Sequence, residues 1–378
     1  MSARIEKWLS EPMPGDVKTS IERLASLEGV VRVAVMPDVH LSEDVCVGTV
    51  VATDRRLIPK AVGGDIGCGM VSVRTDAAAD LLASERAAAR LFDGLGRRVP
   101  VNRHRAATMP EALPPDLAAG LSDARLTALA RRDGRAQFGT LGSGNHFVEF
   151  QADDDDRLWV TVHSGSRAMG QAILRHHLEA ATPTRGRIVS IDADTDAGRA
   201  YLADVAWARR YAAANRDAIV SAVDAVLRDA FGVALEPGTA IAADHNHVRS
   251  EVHGGRRWWV HRKGALSARA DEPGIVPGSM GTATFHVRGR GCAAALCSSS
   301  HGAGRAMSRS EARRRISVRR LGRETRGVWL DRRFERRLLD EAPSAYKDVR
   351  RVMRAQRELT RIVRELRPLL CYKGAGGR

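Results

Sequence analysis

The chain has 378 residues, 44% of them apolar, and carries 60 Lys+Arg against 45 Asp+Glu, a formal net charge of +15. It is long enough for a substantial buried core, and its basic balance makes a polyanion the natural partner, the alternative being an arginine-rich composition that reflects genomic base composition. No apolar run approaches the length of a membrane span, and the first twelve residues are charged where a signal peptide needs an apolar centre, so a soluble cytoplasmic protein without a membrane role is expected. Five cysteines at irregular spacings (Cys46, Cys68, Cys292, Cys297, Cys371) fit reduced thiols, one of them a potential ligand, better than a disulfide framework.

In chain order, Thr19-Ser20-Ile21-Glu22 reads as a capping box opening a short helix that Gly29 stops. Val31, Val33 and Val35 alternate into Met36-Pro37-Asp38-Val39-His40, so a strand delivers an acid and a histidine at its end, and residues 45–53 read as a second β segment. Asp80 to Arg97 and Asp196 to Phe231 carry the spacing of amphipathic packing helices, the second stopped by Gly232. Short apolar runs recur at Phe147 to Gln151, Leu158 to His163 and Trp258 to His261. Tyr346 to Leu370 returns to helical spacing until Pro368. Helices and strands are interspersed without a regular βαβ rhythm, which predicts a mixed α+β fold: a β-sheet core flanked by helices in one large domain over residues 1–378.

Three features carry chemistry. In Ser298-Ser299-Ser300-His301-Gly302-Ala303-Gly304-Arg305 an imidazole is followed by glycines that admit backbone N–H groups to a phosphate and by an arginine that can meet its oxygens; the alternative is a surface loop with an incidental histidine. In Asp65-Ile66-Gly67-Cys68 an acid and a thiol sit three apart in a glycine-rich turn, a ligand-like spacing that a tight turn with a buried cysteine could also produce. The loops Gly144-Asn145-His146, His163-Ser164-Gly165-Ser166-Arg167 and Asp244-His245-Asn246-His247 add imidazoles. One carboxylate, one thiolate and several imidazoles suit a divalent transition metal. Ligand softness favours zinc, and two metals sharing the thiolate would suit phosphoryl transfer. Residues 305–337 are dense in arginine, either a solvated face or a nucleic-acid groove.

Taken together and in order, these motifs, with His261-Arg262-Lys263-Gly264-Ala265, Pro277-Gly278-Ser279-Met280-Gly281, Ala345-Tyr346-Lys347-Asp348-Val349 and Lys373-Gly374, resemble the RtcB family of RNA ligases. The resemblance implies a GTP- and manganese-dependent enzyme that joins a 3′-phosphate or 2′,3′-cyclic phosphate RNA end to a 5′-hydroxyl end, and so replaces zinc by two manganese ions. By position it implies Asp65, Cys68, His146, His163 and His245 as metal ligands, with Cys68 bridging, and His301 as the residue that takes GMP. It implies a nucleotide pocket drawn from Asn145, His146, Phe147, Val148, Glu149, His245, Asn246, Pro277, Gly278, Ser279, Met280, Thr284, His301, Gly302, Ala303, Gly304 and Lys373. Arg167, Arg262, Lys263, Arg305 and the arginines beyond are the candidates for the RNA backbone.

The chain departs from the family pattern at Leu41-Ser42-Glu43-Asp44, an acidic turn where small residues are usual, at Asp244 where histidine is common, at His247 where tyrosine is common, and at Ala168 where glycine is usual. These leave every implied ligand in place. They point to a divergent bacterial branch serving RNA repair, for which a release-factor-like partner, PrfH, is a candidate. Two alternatives stand beside the ligase: a metal-dependent end-capping nucleotidyltransferase or phosphoesterase, and a catalytically inert RNA-end-binding protein.

Overall fold

A computed structural model describes residues 3–181 and 188–374. Two large sheets organise them. The first runs Arg4–Lys7, Val30–His40, Val47–Thr53, Arg256–Lys263, Asn246–His253, with the first pair parallel and the others antiparallel. The second is antiparallel throughout, in the order Pro273–Pro277, Thr284–Gly289, Thr360–Lys373, Phe147–Ala152, Arg157–Ser164, Gly69–Ala78, Ile241–Asp244. A two-stranded ribbon pairs Ala265–Ser267 with Ser298–Ser300. The α+β class expected from the sequence is the one observed.

The 36-residue helix Asp196–Phe231 backs the second sheet. Ile219, Val223, Val226 and Leu227 repeat at helical spacing and are buried against Val73, Val148, Val160 and Val162 of the sheet, with Leu91 and Leu95 of the helix Glu85–Arg98 completing the layer. Truncating Leu91 to alanine would cost about 2–5 kcal/mol through the cavity it leaves. Thr195 accepts a hydrogen bond from the Gly198 amide at the start of the long helix, and Gly232, at φ 69°, ends it in the left-handed conformation that glycine adopts without strain. The N-terminal half of the same helix packs Tyr201, Trp207 and Tyr211 against Met169 and Ile173 of the helix Arg167–Ala180.

Two expectations are corrected. The helix near Thr19 starts at Gly15, and the Thr19 hydroxyl donates to the Gly15 carbonyl instead of capping. The helical reading of Tyr346 to Leu370 is right only for Val349–Ala355; Thr360–Lys373 is a 14-residue strand in the interior of the second sheet. Its β-branched start, Thr360, Ile362 and Val363, favours a pleated surface, and Pro368 is accommodated where the pairing register shifts between Pro368 and Leu370. The remaining run ends agree within a few residues, although the predicted helix from Asp80 is split into a short 3-10 turn, Ala79–Leu82, and a helix from Glu85 that Ser84 caps.

Candidate active site

Strand register assembles the first part of the site. His163 lies opposite Phe147 on one side and Met70 on the other, and Gly69 lies opposite Asp244. One end of the second sheet thus gathers Cys68, His146, His163 and His245, each at or just beyond a strand terminus. Cys68 Sγ is 3.4 Å from His146 Nε2 and 3.2 Å from His163 Nε2, and the ligand atoms of these three residues lie within 4.8 Å of one another. Asp65 Oδ2 is 2.9 Å from His146 Nε2. His245 joins by its ring, 5.2 Å between centroids from His163.

The electrostatics of this cluster suit a cation. Burial, reinforced by neighbouring imidazoles, holds His163 and His245 well below the usual imidazole range, so both rings are neutral with a lone pair to give. Burial would raise Asp65, yet its hydrogen bond with His146 and the electrostatic pull of that neighbour bring it down to about 2. Burial and then the Asp65 carboxylate push the Cys68 thiol well above its ordinary value, a bias that a bound cation would reverse. His163 Nδ1 is 3.1 Å from the Asn145 carbonyl, which fixes the tautomer and leaves Nε2 for a ligand. His146 Nδ1 and His245 Nδ1 are buried without a hydrogen-bond partner among the described residues. A thiol, a carboxylate and neutral imidazoles with unspent nitrogens are a donor set that fits a divalent transition metal.

The first sheet and the ribbon supply the other part. Near the end of Val30–His40 stands Asp38, whose Oδ2 is 2.7 Å from His301 Nδ1 and 3.3 Å from the His301 amide nitrogen. With Nδ1–H donating to that carboxylate, Nε2 is the ring nitrogen left for attack. The His301 ring packs against His245 in a tilted arrangement, 4.6 Å between centroids, which places it beside the ligand cluster. Two glycines permit the approach. A side chain on Gly304, at φ 73°, would lie 2.2 Å from the Asp38 carbonyl oxygen, and one on Gly264, at φ 61°, would lie 2.2 Å from Val47 and 3.0 Å from the His301 ring.

His301 opens onto a cleft of about 850 Å³, large enough for a nucleotide. Asn145, Phe147, Glu149, Asn246, Pro277 to Met280, Gly302 to Gly304 and Lys373 line it, together with Asp65, Cys68, His163 and His245. Burial raises Glu149 to about 7, against the opposing pull of Gln151 and Lys373. Val148 and Thr284, expected in the wall, are behind it. Successive side chains of a strand face opposite ways, so Phe147 and Glu149 meet the cleft while Val148 enters the core; Thr284 is buried, and its hydroxyl accepts from Gln151 Nε2 at 2.8 Å.

Of the four cationic side chains proposed for RNA, Lys263 and Arg305 line the cleft. Arg167, in a left-handed conformation at φ 56°, packs behind His146 and Gly142, with Nε 3.3 Å from the Thr140 hydroxyl. Arg262 is fully buried and salt-bridged to Glu251, so no phosphate can reach it; the sequence shows its charge and not its depth. Its neighbours explain two departures from the family pattern: His247 Nδ1 lies 3.2 Å from Asp244 Oδ1, and Arg262 Nη1 lies 3.3 Å from His247 Nε2. Burial brings His247 down to about 4, so the ring is neutral, accepting from Arg262 on Nε2 with Nδ1 beside the Asp244 carboxylate.

The sequence reading passed over a buried carboxylate hub at the opposite end of the cleft. Glu341 receives Lys373 Nζ at 2.7 Å, the Tyr346 hydroxyl at 2.6 Å and Arg309, while Arg309 also bonds Asp340 at 2.8 Å. Arg309 is thereby held over Gly144 at the cleft wall. Its local sequence signal was the acid pair Asp340-Glu341 just beyond the arginine-dense segment.

A profile of the family described as tRNA-splicing ligase RtcB matches residues 20–116 and 109–374. The chain belongs to the RtcB family. It is 36% identical to RNA-splicing ligase RtcB1 of Escherichia coli strain ATCC 25922, over 99% of this chain and 98% of that protein. It is 35% identical to RNA-splicing ligase RtcB of Escherichia coli K12 over the same shares. With the RtcB protein of Mycobacterium tuberculosis it shares 30% identity over 94% of this chain and the whole of that protein. The residues that RtcB resemblance marks as ligands thus meet around Cys68 and beside His301. No helix among the described residues is long and apolar enough to cross a membrane.

Proposed function

We propose that this chain is an RNA ligase that uses GTP to join a 3′-phosphate or 2′,3′-cyclic phosphate RNA end to a 5′-hydroxyl end, residues 1–378 acting as one catalytic domain. The observation that carries the reading is His301, its Nδ1 held by Asp38 at 2.7 Å, beside a buried ligand cluster and open to a nucleotide-sized cleft. Nε2 of His301 attacks the α-phosphorus of GTP; a P–N bond forms, the P–O bond to pyrophosphate breaks, and Asp38 stabilises the charge that develops on the ring. An oxygen of the RNA 3′-phosphate, after hydrolysis of any cyclic ester, displaces His301 and leaves the RNA end joined to GMP through a pyrophosphate. The 5′-hydroxyl then attacks the RNA phosphorus and expels GMP.

Each step is a displacement at phosphorus that needs alignment and charge compensation. Asp65, Cys68, His146, His163 and His245 would hold the two divalent ions, manganese by family resemblance, which supply charge neutralisation at phosphate oxygens. Lys373 and Arg309 face the cleft for further anionic groups. An RNA-repair setting in the cytoplasm, with a release-factor-like partner, belongs to the same proposal.

Incubation with α-labelled GTP and Mn²⁺ should give an acid-labile protein adduct that His301→Ala abolishes; equal labelling of the two proteins would refute the mechanism. Glu43 and Asp44 line the same cleft, so the products need checking too. Strands joined from a 3′-phosphate and 5′-hydroxyl pair support ligation, whereas hydrolysed or capped ends alone support the phosphoesterase or nucleotidyltransferase. Scanning Mn²⁺, Zn²⁺ and Mg²⁺ in that assay identifies the working ion.

A further inference from the structure

His301 is reached through an unusual piece of backbone. Leu296, at φ 53° and ψ 39°, and Cys297, at φ 48°, are consecutive non-glycine residues in the left-handed region. They turn the chain directly into the strand Ser298–Ser300 and so into His301. Such a conformation persists only where the surroundings over-determine it, and it clusters where placement matters.

Arg262 is what surrounds it. The guanidinium has five N–H donors, and each has an acceptor. Nη1 reaches Glu251 Oε1 at 2.5 Å and His247 Nε2 at 3.3 Å. Nη2 reaches Glu251 Oε2 at 3.2 Å and the Leu296 carbonyl at 3.1 Å, and Nε reaches the Ser298 hydroxyl at 3.0 Å. Ser298 in turn donates to the Leu296 carbonyl at 2.9 Å. The fork therefore grips the turn on both sides of Cys297. On its own strand Arg262 stands two residues before Gly264, against which the His301 ring packs, and Ala265 pairs with Ser300. One buried cation fixes the two chain segments between which His301 emerges.

We propose that Arg262 is a positioning residue for His301: it holds the Leu296–Cys297 turn and the adjoining ribbon so that Nε2 of His301 points at the phosphorus it attacks, while Asp38 sets the rotation of the ring. The inference rests on the guanylylation reading above. Asp38 acts on the ring and Arg262 on the backbone beneath it, so neither substitutes for the other. Lysine at position 262 keeps the charge and loses the planar fork, which cannot then serve Glu251, Leu296 and Ser298 together.

The test is the single-turnover rate of GMP transfer to His301, measured with labelled GTP and Mn²⁺ and expressed per folded molecule, in the unaltered chain and in Arg262→Lys. The expected result is a rate lowered by about 10- to 100-fold at saturating GTP, as for a reacting atom displaced by about an ångström, with a GTP concentration dependence and metal content unchanged within about twofold. Ser298→Ala, which removes the Nε acceptor without leaving a charge unpaired, should lower the same rate by several-fold and decides the matter if Arg262→Lys does not fold. Full rate per folded molecule in the variant that folds overturns the inference, because a purely structural role changes how much protein is folded and not how fast each molecule reacts. A rate loss matched by weaker GTP or metal binding overturns it as well. Failure of the unaltered chain to label removes the guanylylation reading and this inference with it, whereas a labelled chain with a full-rate variant removes this inference alone.

Discussion

Arg262 and Cys68 are both buried in polar company, yet every N–H of the Arg262 guanidinium has an acceptor, whereas His146 and His245 around Cys68 keep nitrogens with none. The guanidinium is satisfied entirely by protein groups. The second cluster is arranged for something the protein does not itself provide. Both were basic or metal-like motifs in the sequence, and the degree to which buried polar atoms are satisfied is what separates scaffold from site.

The largest expected effect exploits that difference. Glu251→Ala leaves Arg262 charged and unpaired in the interior and should lower unfolding free energy by about 3–5 kcal/mol, read from urea denaturation. Cys68→Ala, in chelator-treated protein, strands no charge and should cost no more than about 1 kcal/mol. Added Mn²⁺ should then stabilise the unaltered chain, by about 2.7 kcal/mol at a hundredfold excess over its dissociation constant, and do nothing for Cys68→Ala. Equal losses in chelator for the two variants would erase the distinction drawn between the clusters.

A second test concerns the groups around Glu251, the partner of Arg262. His253 is raised to about 9, through its hydrogen bonds to Cys297 first and then to Glu251, with burial opposing. A histidine raised above its unfolded value of 6.5 contributes stability that is fully present below 6.5 and is lost as pH rises through about 9. Denaturation midpoints of the unaltered chain should therefore fall across that window, and those of His253→Gln should fall less. A parallel decline in both would detach His253 from the cluster.

The smallest effect concerns the arginine run. Arg309 and Arg313 are tied to Asp340, and Arg315, Arg320 and Arg333 to Glu311, Glu324 and Asp331. Arg314, Arg319 and Arg323 are exposed, with no ion pair among the described residues. Replacing these three by alanine should weaken binding of single-stranded RNA and reduce the slope of log affinity against log salt by about 0.7 for each phosphate no longer neutralised, with GMP transfer to His301 unaffected. An unchanged slope would leave these arginines as a solvated surface.

The sequence made the motif loops legible because glycine turns and clustered imidazoles are local signals. Their convergence was not, since it depends on His163 lying between Phe147 and Met70, a register that no local pattern states. Nor was depth: Arg262 and Lys263 are adjacent and alike in charge, but strand alternation sends one into the interior and the other to the cleft. Thr360–Lys373 was hidden for a different reason. Apolar residues at Ile362, Val363 and Leu366 continued the spacing of the preceding helix, and strand pairing across an interior position overrode it.

The hold on His301 has a further consequence. Ser300 is paired with Ala265, the ring is bonded to Asp38, Gly264 packs against the ring, and Gly304 packs against Asp38. A histidine so enclosed cannot carry a covalent group from one chamber to another, as a swinging arm does. Under the proposed chemistry the GMP stays where it forms and the other reactants must come and go through the same opening. Pyrophosphate has to leave before an RNA phosphate can arrive, and the two broken ends must follow one another to one point, so the order of traffic through the cleft is set by a side chain anchored at both its backbone and its ring.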